Sequence, residues 1–204
     1  MQTKGERTRA AILDEALKLV SKAGLDDLTI GTLADATGMS KSGLFAHFGS
    51  REELLLAVLA HGQNCFTRCV FQAAMARPRG VPRLRAMFTH WLDWTESADL
   101  PGGCPMIGGA SEFDDKPGPV RDMLAGGQRL WIETLKRTVR QAIEERQLAA
   151  ATEGSHTGIV LRGALTNTNV RTILPPDEPG NGNDHDEGRA HAGGDSRRRA
   201  AHRQ

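Results

Sequence analysis

The chain has 204 residues, of which 39% are hydrophobic and 25% are charged, and its formal net charge is +1. This composition is typical of a folded globular protein with a buried core. The near-neutral charge excludes a protein that coats nucleic acid over its whole surface, but it allows a local basic face. No run of 18 apolar residues predicts a membrane span, and the N-terminal segment lacks the apolar stretch of a signal peptide. Three cysteines form no closed disulfide set, so a reduced, cytoplasmic protein is expected.

Apolar residues recur every three or four positions in the first third of the chain, a spacing that predicts helices. The first helix is predicted from about Arg7 to Ala23. Two short helices follow at 30–37 and 40–47, with Thr29 and Ser40 placed as N-caps on either side of a glycine turn. No alternation of β-branched residues persists for five positions. The predicted fold is therefore all-α.

A longer helix is predicted over residues 51–76. Ser50 and Glu53 have the spacing of a capping box at its start, and Pro78 ends its apolar stripe. At 1.5 Å per residue, about 25 residues span roughly 38 Å, which is more than a three-helix unit needs. This helix is therefore expected to reach into a second body of protein.

The two short helices and their glycine turn, packed on the first helix, form a predicted helix–turn–helix unit. Residues 40–43 are small or polar, as the first turn of a helix that enters the DNA major groove must be. Residues 38–51 contain no Asp or Glu, so a near-neutral chain carries a positive tip. The predicted DNA-binding residues are Lys4, Arg7, Thr29, Thr32, Ser40, Lys41, Ser42, Gly43, Phe45, His47 and Arg51.

The segment TIGTLADATGMSKSGLFAHFGSREEL, residues 29–54, resembles the tetracycline-repressor (TetR) family of bacterial regulators. The resemblance covers about residues 6–66 and implies a DNA-binding domain there. It further implies a homodimeric transcriptional repressor with two partners, double-stranded palindromic operator DNA and a small-molecule effector bound in a variable helical body. Where the family usually has Tyr, this chain has Phe45, so a hydroxyl that commonly contacts phosphate is missing. Arg51 keeps the charge of the usual Lys.

Residues 67–150 are predicted to form a helical ligand-binding and dimerisation domain. Its last helix is predicted from Val120 to about Leu148, with Leu130 on the inward face. An aromatic and methionine-lined body suits a pocket for an apolar or aromatic small molecule, although an ordinary helical core needs the same residues. The predicted ligand-binding residues are Phe66, Met87, Trp91, Trp94, Cys104, Met106, Phe113 and Trp131.

The three cysteines allow a thiol sensor or a three-thiolate metal site as well as simple packing. Cys65 and Cys69 fall on the apolar stripe of the long helix, where cysteine acts as a small hydrophobe. Cys104 lies in a loop near a helix start and is the better sensor candidate. No spacing typical of a catalytic site or a phosphate-binding loop is found, so the sequence predicts no enzyme, no cofactor and no metal.

Residues 151–204 lose the helical pattern, and from Pro175 onward the apolar residues are four alanines. This composition predicts a disordered tail, in which His185, His191 and their acidic neighbours are solvated rather than metal ligands. A change of reading frame after about residue 150 is one explanation, and it would disturb the dimer interface. Two alternatives to a ligand-responsive repressor stay open. One is a DNA-binding factor that activates or acts without a ligand, and the other is an inactive regulator with an altered C-terminus.

Overall fold

The computed structural model describes residues 3–148 of the chain. Over that range it contains seven helices and no strand, which confirms the all-α prediction. The helices are α1 (Lys4–Ala23), α2 (Ile30–Thr37), α3 (Lys41–Phe48), α4 (Arg51–Phe66), α5 (Val81–Thr95), α6 (Pro105–Glu112) and α7 (Pro119–Glu144). α4 continues through a π-helical turn (Thr67–Gln72) into a last α-helical turn (Ala73–Met75), and we call these three segments together the connecting helix. The predicted tail, 151–204, lies outside the described residues.

Local capping sets the bounds of the two short helices. Thr29 Oγ1 accepts a hydrogen bond from the backbone N–H of Thr32 at 3.0 Å, and Ser40 Oγ accepts one from Gly43 N–H at 3.1 Å. Both predicted N-caps are therefore confirmed. Between the helices, Gly38 has a φ of +68°, a left-handed conformation in which a side chain would be strained.

α1 begins at Lys4, three residues before the predicted start at Arg7. The reason is a capping box: Thr3 accepts a hydrogen bond from Glu6 N–H at 3.2 Å, and the Glu6 carboxylate accepts one from Thr3 N–H at 2.7 Å. Lys4 and Arg7 consequently project from the first turns of a helix. The inner sides of α1–α3 and the start of the connecting helix form the core of the head, which includes Leu13, Leu17, Leu33, Leu44, Leu54 and Leu55.

The connecting helix is not uniformly α-helical, contrary to prediction. Residues 67–72 form a π-helical turn, in which hydrogen bonds join residues five apart. At about 100° per residue, side chains five apart in an α-helix point some 140° away from each other. The wider turn instead brings the rings of Phe66 and Phe71 together, edge to face, with centroids 5.5 Å apart. It also moves Cys69 off the buried stripe, so this thiol is exposed rather than packed as predicted.

The connecting helix is long and apolar enough to cross a membrane by length and composition alone. The core helix of a globular protein passes the same test. Here Leu54, Val58 and Leu59 are completely buried, because the helix packs against α1 and α7. The helix therefore forms part of the core in this fold.

The body consists of α5, α6 and α7 around the second half of the connecting helix. Trp131, Leu135 and Val139 follow each other at four-residue intervals along the buried side of α7. Leu130 was predicted on this inward face, but it is 66% exposed. The correction follows from helix geometry, because one residue before Trp131 is a rotation of about 100° away from the buried side.

Head and body meet through a polar contact at the C-terminal end of α1. The Ser21 hydroxyl donates to the carbonyl of Gly103 at 2.8 Å and accepts from the N–H of Gly102 at 3.0 Å. In the loop that follows α1, the N–H of Asp26 donates to the Glu112 carboxylate at 2.9 Å. We call these interactions the head–body contact. They join the head directly to α6 and to the loop that precedes it.

Candidate DNA-binding surface and ligand cavity

One side of α3 is buried and the other is free. Leu44 and Phe48 fill the head core, whereas Lys41, Ser42 and Phe45 are exposed. Phe45 has 57% of its surface exposed and is one of three large apolar side chains in the described range that are so open to solvent. Lys41 and Phe45 lie four residues apart and so share one face of the helix. We call Ser40, Lys41, Ser42 and Phe45 the α3 face.

The other predicted DNA contacts surround the α3 face to different degrees. A methyl group at Gly31 would lie 3.9 Å from the Lys41 ammonium nitrogen, so the starts of α2 and α3 adjoin. Thr29 and Thr32 lie at this junction, and their hydroxyl oxygens are 3.2 Å apart. Lys4 and Arg7 are exposed on the first two turns of α1, while Gly43 and His47 are half-buried. The structure thus brings Thr29, Thr32 and Lys41 together.

Arg51 is engaged inside the head. Its Nε donates to the carbonyl of Leu28 at 2.9 Å, and its Nη2 donates to the carbonyls of Asp26 at 2.7 Å and Leu25 at 3.2 Å. These three carbonyls belong to the loop between α1 and α2. The structure therefore gives Arg51 a role in holding this loop, which the sequence did not predict, and we leave it out of the proposed DNA contacts.

We expect Arg51→Met to lower the free energy of unfolding by about 1–2 kcal/mol, because three carbonyls lose their donor while the site stays partly open to water. Urea denaturation followed by circular dichroism measures this change. Arg137→Met, at an exposed position on α7, is the matched control and should change stability by less than about 0.5 kcal/mol. Equal stabilities of the two variants would contradict the loop-holding role.

The body contains a cavity of about 320 Å³. It lies against the connecting helix, α6 and α7, and its size suits a small organic molecule. The cavity is lined by five of the eight residues predicted to bind a ligand: Phe66, Trp91, Cys104, Met106 and Trp131. The π-helical turn shapes this wall, since Phe66 and Phe71 both meet the Trp131 ring edge to face, with centroids 5.4 and 5.3 Å away.

Three residues predicted to bind a ligand do not line this cavity. Met87 is completely buried, and its sulfur accepts a long hydrogen bond from the Thr138 hydroxyl at 3.8 Å. Trp94 packs edge to face behind Phe66, with centroids 6.1 Å apart. Phe113 lines a separate, smaller cavity of about 130 Å³ between α4 and α7. These side chains belong to the core around the cavity rather than to its surface.

Sequence reasoning missed the polar and several smaller lining residues. Gln63 precedes Phe66 by three positions and Gln128 precedes Trp131 by three, so each amide lies one helical turn before a lining aromatic ring. That spacing was the available signal for these two. The remaining lining residues are Ile107, Ala110, Ser111, Asp114, Gly127 and Ile132.

The environment of Cys104 does not favour a reactive thiolate. Burial raises the pKa of its thiol, and the backbone N–H groups of Ile107 and Met106 and the Trp94 side chain offset this only in part. Burial raises the pKa of the Cys65 thiol as well, against the lowering effect of Arg68. Within residues 3–148, no group of three His, Cys, Asp or Glu side chains is placed to hold a metal ion.

Two family models match the chain in the positions that this geometry leads one to expect. Residues 12–58 match the model described as "Bacterial regulatory proteins, tetR family", and residues 80–177 match "Tetracyclin repressor-like, C-terminal domain". The chain belongs to the TetR family. This confirms the resemblance to the TetR family that was stated from the sequence. The C-terminal match extends to residue 177, into the segment predicted as tail.

Relatives of known name include two bacterial TetR-type regulators. The chain is 27% identical over 140 residues to the HTH-type transcriptional repressor ComR of Escherichia coli (strain K12). These 140 residues make up 68% of this chain and 65% of ComR. It is 23% identical over 177 residues to the HTH-type transcriptional regulator AcrR of Shigella flexneri, covering 84% and 80% of the two chains. The match thus spans somewhat less than two thirds of ComR.

Solved TetR structures share the fold. A TetR transcriptional regulator from Chloroflexus aurantiacus J-10-FL superposes with a TM-score of 0.70 at 23% identity, over 80% of this chain and 82% of that one. AibR, solved in complex with isovaleryl coenzyme A and operator DNA, gives a TM-score of 0.65 at 22% identity, over 84% and 90% of the chains. Regulators of this family bind operator DNA and small-molecule effectors, typically as dimers.

Proposed function

We propose that this TetR-family protein is a cytoplasmic repressor that binds a near-palindromic operator as a homodimer and leaves it when a small molecule occupies the cavity. The observation that carries the proposal is the α3 face, which exposes a cation, two hydroxyls and an unpacked aromatic ring on one side of a helix whose other side is buried. Two copies of α3 would enter successive major grooves, with half-sites about 34–36 Å apart.

The chemistry of the α3 face suits base contacts. An ammonium such as that of Lys41 donates to guanine O6 and N7, and an exposed ring such as that of Phe45 suits the thymine methyl group. Lys4, Arg7 and the Thr29–Thr32 start of α2 would contact phosphates beside the groove. Asp26 is turned from this surface toward the body, where its carboxylate pairs with Lys116. A nearby carboxylate is thereby kept from opposing the phosphates.

The cavity and the head are joined by short contacts. Met106 and Ile107 line the cavity from α6, and the same helix and its preceding loop form the head–body contact with Ser21 and Asp26. A ligand that fits the cavity better when α6 has moved would shift the population of head positions. Such a ligand would bind the DNA-incompetent conformation more tightly and so lower operator affinity.

The proposal is tested with the full-length chain. Selection from random duplex DNA should enrich an inverted repeat, and footprinting should show two protected half-sites about 10–10.5 base pairs apart. In vitro transcription from a promoter that overlaps the selected site should fall as the protein is added. If no sequence is enriched, the proposed function is wrong. An increase in transcription instead would favour the activator alternative, and a monomer that protects no site would favour the inactive regulator.

A further inference from the structure

The charge of the cavity lining is uneven. Among the lining residues within 3–148, Asp114 is the one charged residue, and the polar remainder consists of the Gln63 and Gln128 amides and the Ser111 hydroxyl. No Lys, Arg or His is found among the lining residues that the structure describes. An anionic ligand would find no cation to pair with there and would meet a carboxylate, so the cavity disfavours anions.

Among the described residues, none pairs with the Asp114 carboxylate. No hydrogen bond or ion pair of its carboxylate oxygens is found within residues 3–148, and the residue is exposed at the edge of the cavity. Arg121 is the nearby cation, but its Nε donates to the Asp114 backbone carbonyl at 2.8 Å, and Arg121 lines the smaller cavity instead. By contrast, the Asp26 carboxylate pairs with Lys116 and lies 3.8 Å from Nη2 of Arg51.

The rest of the lining suits the apolar part of a cation. Phe66, Trp91 and Trp131 are aromatic, and ring faces attract ammonium groups, most strongly where water is excluded. Trp91 and Trp131 are 5% and 7% exposed, so the two rings are largely shielded from bulk water. The cavity volume of about 320 Å³ is about ten times the volume that one molecule occupies in liquid water, roughly 30 Å³.

We propose that the effector of this regulator is an organic cation, a small molecule that combines an aromatic or branched apolar group with one ammonium charge. The apolar group lies among Phe66, Trp91 and Trp131, and the ammonium lies beside the Asp114 carboxylate. This inference rests on the proposed function, because it assigns the ligand class of the same cavity.

Three isosteric probes separate charge from shape: benzyltrimethylammonium, the uncharged neopentylbenzene and the anion phenylmethanesulfonate. Binding is followed by quenching of tryptophan fluorescence in the full-length protein, since two of its three tryptophans line the cavity. We expect the cation to bind at least tenfold more tightly than the neutral probe, and the sulfonate to bind more weakly than both. We also expect the cation alone to lower operator affinity at micromolar to millimolar concentrations.

Asp114→Asn keeps the shape of the side chain and removes its charge. It should weaken binding of the cation about tenfold and change binding of the neutral probe less than twofold. Asp115→Asn is the matched control, because Asp115 is the adjacent exposed carboxylate and does not line the cavity. It should change neither affinity. Thermal melts of both variants should coincide with that of the wild type, since both side chains are exposed.

Several results would overturn the inference. One is equal binding of the cation and the neutral probe with no effect of Asp114→Asn, another is tight binding of the sulfonate, and a third is no binding of any probe to a protein that still binds its selected DNA. Each of these leaves DNA binding by the α3 face intact. Failure of the unliganded protein to select any DNA contradicts the proposed function instead, so the two failures are distinguishable.

Discussion

Replacing Gly102 with alanine should lower the free energy of unfolding by about 3 kcal/mol. A methyl group at Gly102 would lie 1.8 Å from the backbone carbonyl oxygen of Ser21, and backbone cannot turn aside as a flexible side chain can. The loop must move away from α1, which breaks both hydrogen bonds of the Ser21 hydroxyl. Overpacking of this kind costs about 1–3 kcal/mol, and each lost hydrogen bond adds about 1 kcal/mol.

Thermal and urea denaturation followed by circular dichroism measure this loss, which corresponds to about 6–12 °C in Tm for a domain of this size. The matched control is Gly108→Ala, in the neighbouring helix α6, where an added methyl group would come no closer than 3.9 Å to the Glu112 carboxylate. That variant should be unchanged or slightly more stable, because alanine favours a helix over glycine. If the Gly102→Ala variant has the same Tm as the wild type, the loop does not lie against α1 as described.

Replacing Lys41 with alanine should weaken binding to the selected operator by at least about 30-fold. Lys41 is the cation of the α3 face, and a side-chain contact to a base edge contributes about 1–3 kcal/mol. A dimer loses two such contacts, so the loss is about 2–6 kcal/mol. The dependence of log K on log salt should change little, because counterion release follows the phosphates that a protein neutralises and Lys41 contacts a base edge. Electrophoretic mobility shifts at three salt concentrations measure both quantities.

Lys136→Ala removes the same charge from the exposed side of α7, where the ammonium pairs with Glu133 at 2.9 Å. This control should leave operator affinity within about twofold. A loss equal to that of Lys41→Ala would mean that net charge alone drives binding, and it would remove the α3 face from the proposed interface. Arg51→Met offers a further contrast, since we expect it to lower stability.

The helical head was predictable from the sequence because its signals are local. Thr29 and Ser40 cap their helices through atoms three residues away, and Gly38 supplies a left-handed turn that other residues rarely adopt. Such interactions depend on a short stretch of chain alone. The periodic spacing of buried residues in α1 and α7 likewise follows from the 3.6-residue repeat of the helix.

The cavity was predictable only in part. Hydrophobic spacing indicated which aromatic and methionine side chains face inward, but it did not distinguish the lining residues Trp91 and Trp131 from the core residues Met87 and Trp94. That distinction depends on how helices pack around a space, which involves residues far apart in the chain. That the Asp114 carboxylate has no partner among residues 3–148 is visible only once its neighbours are known.

By itself, the sequence determined the bounds of α2 and α3 to within about one residue and the all-helical class, because capping and periodicity act over a few residues. Tertiary structure alone decided that Arg51 holds the α1–α2 loop, that Ser21 joins α1 to the loop before α6, and that Phe66 and Phe71 meet across a π-helical turn. These contacts join partners between 5 and 82 positions apart. Most of them form because packing brings distant backbone groups within hydrogen-bond reach, which local propensity does not encode.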